Sequence, residues 1–420
     1  MKLYFPESYN QIDDVGYNHA VSLFNKVLGE YITNDPTKAD YRVYCNLPYY
    51  DKPKELKTHG LPLLVYTMYE STKVPKSWVK FLNKHSDIVL VPSIWCKEVF
   101  INSGVKKPIH VLSLCYDDSK IKFNPKTKNT DEYNFLWQGV ALDRFGRKGY
   151  DIAIRAFKEL KNDNLLGDDC NLILKVKPWK DRPVEINTVK SSSGVIYIQE
   201  NIKRQELIDL YSAVDCCINP THGEGFGLIP LEQMAMGKPV LVTNWSMPYI
   251  DEQICVPLKY TLKKSCIFFN HKFLTISRNG IAFNFGGLYK DLVLLPKLLT
   301  LKPDGKKVIA VSPFKIKLTL KDKILNRSNN FLRSVQIKFN LFFNYNNKKY
   351  LLFAEDPGLD AYVNIEYLKN KMLYCYNNKS LAEDLGFMAS EVVKNKWSSH
   401  KMLNDFKKLI PILEKYKKEL

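Results

Sequence analysis

Short apolar runs recur along the chain at residues 2–5, 41–45, 63–67, 87–91, 134–139, 171–176, 194–198, 215–219 and 240–243. Runs of this length bounded by polar or turn residues read as buried strands. Between them lie segments that read as helices, over 17–29, 77–85, 151–161 and 204–214, with another starting at Ser93, a good N-cap. Residues 103–113 lead into a further strand, and 364–376, 379–396 and 400–420 read as closing helices. Strand and helix in alternation predict an α/β protein built on doubly wound parallel sheets. At 420 residues two such domains are expected.

Residues 215–244, DCCINPTHGEGFGLIPLEQMAMGKPVLVTN, carry the densest chemistry. The pattern is strand, glycine-rich loop, helix, strand. Pro230 suits a first helical turn, and Gly237 with Pro239 suits a helix end. The N–H groups of Gly227, Leu228 and Ile229 then open a helix, which is a ready anion site. Glu224 and Glu232 would repel a phosphate, but both could accept hydrogen bonds from hydroxyls on either side of it. A phosphate flanked by two polyhydroxyl groups describes a sugar nucleotide. A capped helix with a solvated Glu is the simpler reading, and it leaves the three glycines and the second Glu unexplained.

The stretch H-G-E-G-F-G-L-x-P-L-E followed by G-K-P-V resembles the E-x7-E region of retaining glycosyltransferases of the GT-B architecture, most closely family 4. The segments YESTKVP, PSIWCKEVF and GVKKPI resemble the first domain of the same family. The resemblance implies two Rossmann-like domains facing a cleft. It implies a first domain over 1–117, a linker over 118–133, a donor-binding domain over 134–258 completed by 351–399, and a helix over 400–420 crossing back. It also implies roles. Glu224 would hold the sugar, Glu232 the ribose, and Lys148 the diphosphate, with Glu224 and Lys148 as the catalytic pair. Gly225, Phe226, Gly227, Leu228 and Ile229 would complete the donor loop, and Gln199 would lie near the base. Relatives often carry Arg where this chain has Val140, so Arg144 or Arg147 would supply the second cation. Gly16 would sit beside the phosphates, although a glycine there also fits an ordinary turn. Where relatives carry a sugar-contacting histidine, Tyr69 or Glu70 stands here, on the sugar or acceptor side, and Tyr69 equally fits packing. Met247 replaces a usual glycine.

Charge changes the picture in one place. Residues 259–350 hold 16 Lys and 3 Arg against three Asp and no Glu, which is +16 of the chain's +18. This block is foreign to the family pattern. Turns are expected at Asn279-Gly280 and Asp304-Gly305. It reads as a β-rich appendage for an anionic surface or as an insertion without function. It contains no recognised nucleic-acid module. The nine cysteines are scattered without a C-x-x-C pair and read as reduced packing residues. No apolar leader or 18-residue apolar run is present, so a cytoplasmic protein is expected, peripheral at a membrane if the basic block docks there.

The reading is a retaining, metal-independent transferase, with no Asp-x-Asp metal motif and no cofactor. Its partners would be a UDP- or GDP-linked donor and a glycan, lipid-linked or protein-linked acceptor. The alternatives are a silent sugar-nucleotide-binding protein tethered to a polyanion, and an epimerase or phosphorylase of the same fold.

Overall fold

A computed structural model describes residues 1–6, 15–48, 56, 59–124, 131–139, 147–176, 194–198, 202–264, 274–277, 280–283, 300–301, 308–309 and 358–419. The chain forms two compact units, Met1–Leu262 with Asp360–Leu420, and Lys263–Leu359.

The first unit contains two parallel sheets. Strands β1 (Leu3–Tyr4), β2 (Ile32–Thr33), β3 (Tyr41–Cys45), β4 (Leu63–Tyr66), β5 (Ile88–Val91) and β6 (Ile109–Val111) are ordered β2-β1-β3-β4-β5-β6. Helices α1 (Val15–Val27), α2 (Lys76–His85) and α3 (Ile94–Asn102) connect them. β4 and β5 are buried at every residue, as strands covered on both faces must be. α1 begins and ends two residues before the pattern suggests. Leu28 N still donates to Phe24 O at 2.7 Å, and the chain then tightens into the turn Gly29–Tyr31.

The second sheet holds β7 (Tyr133–Gly139), β8 (Cys170–Val176), β9 (Val195–Ile198), β10 (Cys216–Asn219), β11 (Val240–Thr243) and β12 (Val256–Leu258). Its order is β12-β11-β10-β7-β8-β9, with α4 (Tyr150–Asn162), α5 (Arg204–Ala213) and α6 (Leu228–Ala235) between strands. The order reverses between β7 and β10. In open parallel sheets a crevice forms outside the carboxyl ends of strands at such a reversal. The loops leaving β7 and β10 carry Arg147-Lys148 and Thr221–Glu224, so chain direction alone delivers both to one place.

The chain closes with α7 (Ile365–Asn377), α8 (Lys379–Lys396) and α9 (Ser399–Glu419). α9 lies against the first sheet. Buried Tyr41 donates its hydroxyl to Leu413 O at 2.7 Å, Lys417 pairs with Asp40, and Phe406 meets Tyr31 edge to face at 5.2 Å. Just before it, Trp397 packs on Phe226 and Tyr249 of the second domain at 5.7 and 5.9 Å. One continuous core therefore joins α1, β3, α6 and α9. The connecting segment is anchored at its start, where Asp117 is buried and held by Lys26 and Ser119.

In the second unit, Leu274–Ser277 pairs antiparallel with Gly280–Phe283, and Thr300–Leu301 with Val308–Ile309. The second pair brackets the turn expected at Asp304-Gly305; in the first, Gly280 is a strand residue paired with Ser277, so only residues 278–279 separate the strands and the expected Asn279-Gly280 turn is shifted by one. Asn279, Asp304 and Gly305 lie outside the described residues.

The weld made by α9 can be measured. Phe406 is fully buried, so Phe406→Ala should lower unfolding free energy by about 3–5 kcal/mol in urea titrations. A loss under ~1 kcal/mol would show that α9 does not pack as described.

Candidate functional site

The site assembles at the carboxyl ends of β7 and β10. Thr221 is buried, and its hydroxyl oxygen lies 3.1 Å from each of Arg147 O, Gly223 O and Glu224 Oε1, with one proton to donate among them. His222 N donates to Arg147 O at 2.7 Å, which ties the two loops at the backbone. The strand Leu359–Val363 clamps the same turn from behind: Ala361 N donates to His222 O at 2.9 Å and His222 Nδ1 lies 2.7 Å from Ala361 O. Tyr362 packs on the His222 ring at 4.5 Å.

Gly223 faces the first domain. A Cβ there would stand 2.0 Å from Glu70 O and 3.0 Å from the Trp245 ring, so no side chain fits. Gly225 O accepts from the Cys96 thiol at 3.4 Å, and Trp95 meets Trp245 edge to face at 5.1 Å. Gly227 caps α6 in the left-handed region, with φ 86° and ψ 60°, where L-residues are strained. Met247 Sδ and Tyr249 Oη crowd the position a Cβ would take, and the Tyr249 hydroxyl donates to Gly227 O. Met247 thus fills the space beneath the helix start. Phe226 is buried beside Trp397, while Leu228 and Ile229 are half-buried at the start of α6.

Glu224 is the hub. Its Oε1 accepts from Lys148 Nζ at 2.6 Å and its Oε2 from Arg147 Nη1 at 3.4 Å. Arg147 Nη1 also donates to Gly223 O at 2.7 Å, and Nη2 lies 3.8 Å from Glu70 Oε1. Ser246 holds the Glu224 backbone on both sides, accepting from its N at 3.2 Å and donating to its O at 3.0 Å. Burial pushes the Glu224 carboxyl up, and the Lys148 ammonium and Arg147 guanidinium together overcome it, holding the group below the usual carboxylate range. The carboxylate stays ionised and accepts hydrogen bonds only.

Glu232 lies on α6, almost fully buried. Arg204, the first residue of α5, grips it with two bonds, Nη1 to Oε2 at 3.0 Å and Nη2 to Oε1 at 2.5 Å. His19 of α1 approaches from the first domain, with Nε2 3.6 Å from Oε1. Burial again pushes the carboxyl up, and His19 and Arg204 hold it below the usual range.

The structure therefore brings Glu224, Lys148, Arg147 and Glu70 together, with Glu232 further along α6. Gly16 stands exposed in the first turn of α1. Tyr69 is buried against Trp78, ring centroids 5.3 Å apart. Arg144, Gln199 and Val140 lie outside the described residues. Arg204, His19 and Ser246 were not legible as site residues. Arg204 meets Glu232 across 28 positions and His19 reaches it from the other domain, so no local spacing marks them. Ser246 has a positive φ of 67°, which no motif signals. The eight described cysteines are buried and unbridged. Among the described residues no helix is long and apolar enough to cross a membrane.

Residues 134–258, under a third of the chain, match the family described as glycosyl transferases group 1. A putative glycosyltransferase of Sulfolobus islandicus filamentous virus (isolate Iceland/Hveragerdi) is 25% identical over 171 residues, 40% of this chain and 44% of that protein. A D-inositol 3-phosphate glycosyltransferase of Streptosporangium roseum is 38% identical over 66 residues, 15% of either chain. The alignments span under half the length of both relatives. Among solved structures, Anabaena HepE in complex with UDP has a TM-score of 0.53 at 12% identity, covering 98% of this chain and 100% of that one. Sucrose-phosphate synthase of Thermosynechococcus elongatus has a TM-score of 0.52 at 13% identity, covering 94% and 78%. These last two are likenesses of fold.

Depressed carboxyls make a testable pH signature. A carboxyl lowered by folding adds stability above its unfolded value of about 4.3, and that stability fades as pH falls through the folded value. The stability gap between wild type and Glu224→Gln should be level near neutrality and shrink progressively below about pH 4.3. Urea midpoints from neutral to acid pH measure it, and a gap that ignores pH would show that Glu224 is not held by its cations.

Proposed function

We propose that this chain, whose residues 134–258 match the group 1 glycosyl transferases, moves a sugar from a nucleotide-sugar donor to an acceptor with retention at the anomeric carbon. The observation that carries the reading is the convergence of Lys148, Arg147 and Glu224 beside the N-terminus of α6, at the reversal of strand order. Free backbone N–H groups at a helix start suit a phosphate. Lys148 and Arg147 add positive charge held in place where the diphosphate would depart, and preorganised charge at a leaving anion is a strong electrostatic lever. With that charge supplied by the protein, no metal is required. Glu224 would orient the sugar through its hydroxyls, and Glu232 would accept from the ribose. HepE, similar in fold, has been solved with UDP and glucose, which supports a UDP-linked donor, with a GDP-linked one as the other choice. The acceptor is a glycan, lipid-linked or protein-linked group entering past Glu70.

Glu224→Gln keeps the shape of the side chain and removes its charge. It should leave nucleoside diphosphate binding intact and reduce transfer from UDP- or GDP-sugars by about a hundredfold or more, ~2.7 kcal/mol in barrier. Radiolabelled-sugar transfer measures this, and activity within about threefold of wild type would end the assignment of Glu224 to the sugar.

The basic residues 259–350 are proposed as a docking surface for anionic membrane, on the strength of their charge alone. The full chain should co-sediment with phosphatidylserine vesicles at low salt and release as exposed charges are screened, over ~8 Å at physiological ionic strength. No binding at low salt would dismiss the docking surface.

A further inference from the structure

Glu232 faces His19 across the cleft, and the gap between them has a definite chemistry. The His19 ring is about one-third exposed, yet its Nε2 is buried and has no hydrogen-bond partner among the described residues. It stands 3.6 Å from Glu232 Oε1, too far for a direct hydrogen bond. An ionised carboxylate offers about four acceptor positions. Arg204 takes one on each oxygen. Among the described residues one position on each oxygen is left, and the one on Oε1 lies beside His19.

A hydroxyl oxygen that enters beside the pair and displaces what now covers Nε2 would lie about 2.8 Å from both atoms at once. It donates its proton to Glu232 Oε1 and accepts from His19 Nε2–H, with that nitrogen protonated in either the neutral or the cationic ring. Both contacts are then made, and a nitrogen without a hydrogen bond among the described residues gains one. Removing the hydroxyl from the ligand leaves both groups facing each other unbridged, which is how a polar site rejects an analogue.

We propose that His19 is a specificity-determining residue: with Glu232, it reads one ribose hydroxyl of the nucleotide, so that ribose recognition is shared between the two domains. The proposal rests on the reading of Glu232 as the ribose ligand. It adds a contact from α1 that the second domain alone cannot make. It also assigns a discrimination, ribose from deoxyribose, that Glu232 and Arg204 do not need His19 to attempt but need it to complete.

Calorimetric titration of the full chain tests this, with UDP, 2′-deoxy-UDP and 3′-deoxy-UDP, and with the guanosine series. Wild type, His19→Leu, His19→Gln and Glu232→Gln are compared, each with a thermal melt to establish folding. Wild type should favour the ribonucleotide over one of the two deoxy forms by about tenfold or more. His19→Leu should reduce that preference to about twofold by weakening the ribonucleotide alone. His19→Gln, whose amide nitrogen reaches a similar point, should retain most of it. If His19→Leu keeps the full preference while Glu232→Gln loses it, the role of His19 is wrong and the ribose role of Glu232 stands. Equal weakening of ribo and deoxy forms by His19→Leu would make His19 a structural contact and overturn the proposal. If Glu232→Gln keeps the preference, the ribose reading of Glu232 falls and this inference with it. Failure of wild type to bind any of these nucleotides would overturn the transferase reading itself.

Discussion

The cleft depends on a backbone running against another backbone with no side chain between them. At residue 223 the loop after β10 passes so close to Glu70 that a Cβ would lie 2.0 Å from its carbonyl oxygen. A displacement large enough to admit a methyl group would pull Glu70 away from Arg147, now 3.8 Å distant. It would also part the Cys96 thiol from Gly225 O and Trp95 from Trp245. The glycine therefore acts first on the spacing of the two domains. Its effect on the site follows from that spacing, since the two sheets approach each other where their functional loops lie.

Charge in the cleft is balanced by the protein itself. Lys148 and Arg147 face Glu224 and Glu70, and Arg204 faces Glu232. Removing one member of such a buried set leaves a counter-charge without a partner, which is strongly destabilising. Held as a set, the groups keep defined positions, and each carboxylate keeps open acceptor positions beyond those its cations use. The buried hydrogen bonds of Thr221, Ser246 and the strand Leu359–Val363 then fix the backbone on which the set is mounted.

Part of this was legible in the residues. The stretch around Glu224 could be read because its signals are local: glycine where the backbone turns left-handed, Pro230 in a first turn, a helix between two apolar runs. The alternation of apolar runs with helical segments was sufficient for two parallel sheets of α/β type. Other features carry no local signature. The bidentate grip of Arg204 on Glu232, the approach of His19 and the support of Met247 beneath Gly227 join residues far apart in sequence. Tyr69 and Glu70 are neighbours in sequence and part company in space. One is buried against Trp78, and the other reaches toward Arg147.

What the sequence by itself determined is therefore most of the elements, their order, and the loops that carry chemistry, because periodicity, capping and glycine geometry act over a few residues; the short strands Ile32–Thr33, Val256–Leu258 and Leu359–Val363 were not among them. The tertiary structure decided which charges meet, because ion pairs form between side chains brought to one cleft from separate strands and domains. Lys148 and Glu224 lie 2.6 Å apart only because β7 and β10 are neighbours in the sheet with parallel directions. His19 meets Glu232 only because α1 and α6 pack into one core across the domain boundary. Nothing in the spacing of those residues along the chain encodes either distance.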